Sequence, residues 1–160
     1  MIPIDVCAAV VFRGNRILLA TRPPDSHLAG KWEFPGGKIR AEETPEQCIQ
    51  RELLEELDLH VRHASHVSTI EHDYPSKRIR LLFMRCEIDA DAIPTPREQQ
   101  DVGWFLPEDL EDLDLAPADR AFVQTQLNDL RAVGTEGRAY PRAAVNKALP
   151  EATDQHMARK

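Results

Sequence analysis

No apolar run in the 160-residue chain approaches the roughly 20 residues that a membrane-spanning helix needs. VCAAVVF (6–12) and LLFM (81–84) are among the longest, so no membrane association is expected. Cysteine is also scarce. Cys7, Cys48 and Cys86 lie far apart with no C-x-x-C pair; this excludes a disulfide framework and a zinc site and predicts three reduced, buried thiols. Positive charge is in deficit too. A formal net charge of −7 argues against a nucleic-acid partner, which selects for a basic face. Asp5 stands where a signal peptide would carry positive charge, so no secretion signal and a cytoplasmic location are expected.

What is present suits one globular domain. The chain is long enough to bury a sizeable core, and its 42% hydrophobic and 29% charged content are ordinary for a soluble protein. DVCAAVVF (5–12), RGN and RILLATR (16–22) read as a hairpin around a glycine-containing turn. A loop follows over 23–31, then a short strand at WEF (32–34). PGGK (35–38) is expected to interrupt regular structure. Thr44, Pro45 and Gln47 form a capping box with proline at the first helical position, and Ile49, Leu53 and Leu57 give the helix an apolar stripe as far as Asp58. Strands are predicted over 60–74, 77–88 and 101–106, a helical turn after Pro107, and a second helix over 117–132 with Val123, Leu127 and Leu130 on one side. The order predicts an α+β fold with a mixed sheet between helices. A domain is expected over 1–132 and a mobile tail over 133–160.

One stretch breaks the ordinary pattern. In GGKIRAEETPEQCIQRELLEELDL (36–59), Glu52, Glu55 and Glu56 fall at i, i+3 and i+4, so they share one side of the helix. Like charges so placed repel by a few tenths of a kcal/mol per pair, and a solvated face is the simplest reading of RELLEEL alone. The context is more specific. Gly37 is followed after five residues by Glu43, and after seven more by Arg51-Glu52 with Glu55-Glu56 behind. A chance match of five such positions is on the order of one in a million at a given start.

The spacing resembles the Nudix box: G, five residues, E, seven residues, R-E-U-x-E-E-x-G-U, where U is a bulky aliphatic. Gly37, Glu43, Arg51, Glu52, Leu53, Glu55, Glu56 and Leu59 match; Asp58 stands where the box has glycine. That glycine ends the helix in a left-handed conformation, which aspartate tolerates less well. The resemblance implies the Nudix fold, an α/β/α sandwich with a central mixed sheet. It further implies a Mg²⁺ cofactor, with Mn²⁺ as a substitute, held by Glu52, Glu55 and Glu56 and by the backbone at Gly36. Hard oxygen donors projecting from a preformed helix suit that ion. By the same resemblance Arg51 orients the glutamates, and Gly37 and Lys38 approach the phosphates.

HLAGKWEFPGGKI (27–39) is similar to the MutT-type subgroup, and the likeness covers roughly residues 4–130. It implies hydrolysis of a nucleoside triphosphate to monophosphate and pyrophosphate. Glu98 falls where that subgroup has a loop glutamate that completes the metal site or serves as base. Arg22, Phe34, Tyr74 and Lys77 fall at nucleotide-contacting positions, where the two aromatics either stack on a base or pack ordinarily. Asp119 matches a base-reading position that is asparagine in the 8-oxoguanine enzymes. Ionised aspartate only accepts hydrogen bonds, so it suits an amino or N–H edge, as in CTP pyrophosphohydrolases; its plain alternative is capping of the last helix. The implied activity is sanitation of damaged or surplus triphosphates, 8-oxo-dGTP first and CTP or modified dCTP as the alternative. Dinucleoside polyphosphates, RNA 5′ ends and a non-catalytic nucleotide sensor follow. His60, His63 and His66 are read as surface residues, and either a monomer or a homodimer is compatible with the sequence.

Overall fold

Six consecutive residues, Val6 to Val11, are wholly buried, which happens to a strand only when both faces of its sheet are covered. The structure, a computed structural model, describes residues 2–136 and 145–147. The strand in question, β1 (Ile4–Arg13), lies at the centre of the mixed sheet. It turns at Gly14 (φ +61°) into β2 (Arg16–Thr21) through a ladder of only two residue pairs, Phe12 with Ile17 and Arg13 with Arg16. The rest of β1 runs parallel to β6 (Lys77–Glu87), from Ile4 opposite Ile79 to Val11 opposite Cys86. β6 continues antiparallel to β5 (His63–Tyr74), which has an irregularity between His66 and Ser68. β2 is flanked by β3 (Trp32–Glu33) and β7 (Val102–Phe105), both antiparallel.

Side-chain alternation along β1 divides the core. Val6, Ala8 and Val10 face one layer with Phe34, Phe83 and Phe122, the last from α2 (Pro117–Glu136). Cys7, Ala9 and Val11 face the other, with Ile49, Leu53 and Leu57 of α1 (Pro45–Leu57). The result is the α/β/α arrangement expected from the sequence.

α1 is capped as its sequence dictates. Thr44 accepts from the Gln47 N–H, and the Gln47 side chain accepts from the Thr44 N–H. At the other end Asp58 adopts the left-handed conformation (φ 54°, ψ 37°), and its N–H reaches the Leu54 carbonyl. The helix therefore ends where the box glycine would end it.

Two expectations are corrected. Residues 36–38 form a strand, β4 (Gly36–Lys38), antiparallel to β1 with Gly37 opposite Cys7; sheet pairing overrides the poor strand propensity of glycine. Cys7 and Cys48 are joined as a disulfide, so only Cys86 is a free, buried thiol; β1 and α1 bring together cysteines that are distant in sequence. Of the segment expected as a tail, 133–136 belong to α2, and β8 (Val145–Lys147) adds to β5 in parallel. The expected mobility of its other residues lies outside the described ones. No described helix is long and apolar enough to cross a membrane.

Candidate active site

Pairing of β4 with β1 brings the Gly36–Gly37 backbone against α1. A Cβ built on Gly37 would lie 2.3 Å from the carboxyl carbon of Glu52, and one on Gly36 would lie 2.0 Å from the Cys7 carbonyl oxygen. At Gly36 the clash is with backbone, so only glycine lets the two strands close; at Gly37 the absent side chain leaves room for the Glu52 carboxylate. Beside them is a cleft of about 460 Å³ whose walls include Arg22, Gly37, Lys38, Arg51, Glu52 and Glu56.

Arg51 organises its acidic side. Its Nε and Nη2 donate to the two oxygens of Glu43 at 2.7 and 2.9 Å, and Nη1 donates to Glu52 at 2.6 Å and lies 3.5 Å from Glu55. The paired fork geometry is characteristic of strong arginine–carboxylate recognition. Hydrogen bonding from Arg51 draws the Glu43 carboxyl down to about 2, and donating to Glu43 raises the guanidinium in turn. Glu43 also accepts from the Arg40 N–H at 2.9 Å, fixing the loop that enters α1.

Among the described residues no group of three or more His, Cys, Asp or Glu side chains converges closely enough to hold a metal ion. Glu52 and Glu55 lean on Arg51, which relieves the repulsion between neighbouring carboxylates on one helix face. The donors still fit a hard dication in kind. Glu52 and Glu56 share one cleft, the glycine at 37 leaves space at the Glu52 carboxylate, and all donors are oxygen.

Glu98 lies in a neighbouring cleft of about 650 Å³, between Pro23–Ser26 and Arg97–Gln99. Its loop is held to α1: the Arg97 N–H donates to the Glu56 carbonyl at 3.0 Å, and the Thr95 N–H to the Leu57 carbonyl at 2.8 Å.

On the cationic side, Arg22 lines the cleft with the glutamates, donates from Nε to the His27 carbonyl at 2.9 Å, and stands 3.6 Å from Glu33. Lys77 is shifted down, first by burial and then by the charge of Lys38. Cations beside a carboxylate cleft are best compensated by a polyanion.

Both aromatics are packed in the interior. Phe34 has no exposed surface; its ring meets Phe83 and Phe122 edge-on at 5.5 and 5.2 Å. Burial in that cluster is the ordinary packing that the sequence left open beside base stacking. Tyr74 is buried as well, packed on His72 at 4.5 Å. Asp119 is buried in the first turn of α2, and its Oδ2 accepts from the Phe34 N–H at 2.9 Å. This bond ties the start of α2 to the β3–β4 connection. His60, His63 and His66 are exposed, as expected. Arg40 and the Arg97 contacts were not singled out by sequence; they carry no periodic or motif signal, and only the folded loops bring them to the clefts.

Comparison with known proteins agrees with this arrangement. The NUDIX domain family profile matches residues 7–125. The chain is 36% identical over 116 residues to a CTP pyrophosphohydrolase of Escherichia coli strain K12, covering 72% of this chain and 85% of that protein. It is 37% identical over 109 residues to the 8-oxo-dGTP diphosphatase of the same strain, covering 68% and 84%. The solution structure of the E. coli ORF135 protein superposes with a TM-score of 0.71 at 33% identity, covering 84% of this chain and 95% of that one. The box residues, the glycine-lined carboxylate cleft and these similarities agree: the chain belongs to the NUDIX family of hydrolases.

Proposed function

We propose that this chain is a Mg²⁺-dependent nucleoside triphosphate pyrophosphohydrolase that releases a nucleoside monophosphate and pyrophosphate and clears damaged or surplus triphosphates, such as 8-oxo-dGTP. The carrying observation is one cleft lined both by glutamates of α1, Glu52 and Glu56, and by the cations Arg22 and Lys38. A triphosphate bridges those opposite requirements. Glu52, Glu55 and Glu56, with the Gly36 backbone, would hold Mg²⁺ or Mn²⁺. When bound, such an ion stabilises charge on phosphate oxygens and acidifies a water nucleophile. The chain's own residues do the rest. Arg22, Lys38 and Lys77 bind phosphate oxygens and orient the chain of phosphates for in-line attack. A carboxylate at the cleft accepts the water proton while the bond from β-phosphorus to the α–β bridging oxygen breaks and a new oxygen–phosphorus bond forms. Glu98 is assigned to that base role or to the ion, and Gly37 gives its backbone to the phosphates.

A second reading of the base is favoured by two buried carboxylates, Glu33 and Asp119, the latter accepting from the Phe34 backbone N–H. Acceptors suit an amino-bearing edge such as that of cytosine, which supports CTP or a modified dCTP. Pyrophosphate release with Mg²⁺ across 8-oxo-dGTP, dGTP, CTP, dCTP, 5-methyl-dCTP and diadenosine tetraphosphate tests both. Fast release from 8-oxo-dGTP supports the first reading, and preference for cytosine nucleotides the second. Absence of release from every triphosphate overturns the enzymatic assignment.

A further inference from the structure

The residue that departs from the Nudix box is one half of an ion pair to the loop of Glu98. Asp58 stands at the left-handed end of α1, and its Oδ1 lies 2.9 Å from Nη2 of Arg97. The chain immediately around Arg97 is bound to the same helix end, through the Arg97 N–H to Glu56 and the Thr95 N–H to Leu57. These carbonyls belong to the last turn of α1, where no further helical N–H is available to them. The loop thus completes the helix, and the helix holds the loop. On the far side of Arg97, the Glu98 N–H donates to Gln100 Oε1 at 2.8 Å, and Gln99 takes a left-handed φ of +61°. Gln100 is buried, so Glu98 is held from both flanks.

We propose that Asp58 and Arg97 are positioning residues for Glu98, clamping its loop to the C-terminal end of the helix that carries Glu52, Glu55 and Glu56. Glycine at 58 would end the helix with less backbone strain but has no carboxylate to offer Arg97. The chain accepts the less favourable residue at that turn and obtains a fixed relation between two groups of carboxylates that lie in different clefts. This inference rests on the role proposed for Glu98, and the test separates the two.

The informative variant is Asp58→Gly, which restores the box residue. A residue needed only to shape the helix end predicts equal or higher Tm and unchanged turnover. A positioning residue predicts equal or higher Tm with lower kcat at unchanged KM. The expected fall is about 2- to 5-fold, in line with the loss of a partly exposed ion pair. Arg97→Ala should give the same fall, and the double variant no more than either single one, because both remove one interaction. Arg97→Lys should recover part of the loss. Hydrogen exchange over residues 94–100 reads the clamp without reference to turnover, and should be faster in Asp58→Gly than in wild type. Unchanged exchange, wild-type kcat in Asp58→Gly, or multiplicative losses in the double variant would each overturn the clamp. Wild-type turnover in Glu98→Gln would instead overturn the role of Glu98, while the exchange measurement still decides on the clamp.

Discussion

The two halves of the candidate site are built by opposite strategies. The carboxylate half runs along one short stretch, Gly37 to Glu56, where a capped helix and a glycine strand place every group, and its charges are compensated locally by Arg51. The opposite half joins residues far apart in sequence: Phe34 and Asp119, separated by 85 positions, meet through one buried hydrogen bond. The first half is partly open to solvent and adjustable; the second is embedded in the aromatic core. Chemistry is therefore separable from folding in the first half and entangled with it in the second.

The sharpest test of that contrast is removal of charge in the open half. Glu52→Gln and Glu56→Gln should each lower turnover by on the order of a hundredfold or more while unfolding midpoints stay near wild type. Midpoints that fall along with turnover would abolish the distinction. Neighbouring glycines offer a finer version. Gly36→Ala drives a methyl into the backbone of Cys7 and should cost about 3 kcal/mol in urea unfolding. Gly37→Ala meets only the movable Glu52 carboxylate, so it should cost under about 1 kcal/mol yet slow turnover on the order of tenfold.

In the embedded half, Asp119→Ala leaves the Phe34 N–H without its partner and should destabilise by about 1–3 kcal/mol. Asp119→Asn keeps an acceptor there, so it should stay within about 1 kcal/mol of wild type while shifting preference from cytosine nucleotides towards 8-oxo-dGTP, read as the ratio of kcat/KM values. An unchanged ratio would remove Asp119 from base selection.

Acid provides a smaller effect. The folded-state value of Glu43 is depressed from 4.5 to about 2, so its pair with Arg51 contributes stability above pH 4.5 and loses it as pH falls towards 2. The gap in Tm between wild type and Glu43→Gln should narrow over that window; a constant gap would mean the pair contributes nothing through ionisation. The least perturbing measurement is thiol titration. Denatured, non-reduced protein should show one reactive thiol, and reduction should release the other two.

The same contrast explains what could be read in advance. α1 was legible because its cap, its apolar stripe and its acidic face all lie within neighbouring residues, and β1, β5, β6 and β7 were legible from apolar runs. β4 was not, since a Gly-Gly-Lys segment becomes a strand only where β1 is there to pair with it. Nor was the fate of the Phe34 ring, because the same aromatic serves a core or a ligand equally well until its neighbours are known. The pairings Cys7–Cys48, Arg22–Glu33 and Asp58–Arg97 join segments whose distance in the chain carries no pattern at all.

The alternation of side chains along β1 has a consequence for how this protein can change over generations. Its odd-numbered residues back the carboxylate helix and its even-numbered residues back the aromatic core. Inserting or deleting one residue in that strand would exchange the two sets, turning both halves of the site out of place in a single step. Length variation should therefore collect in connections such as 23–31, while β1 admits replacement of one side chain at a time and no change of count.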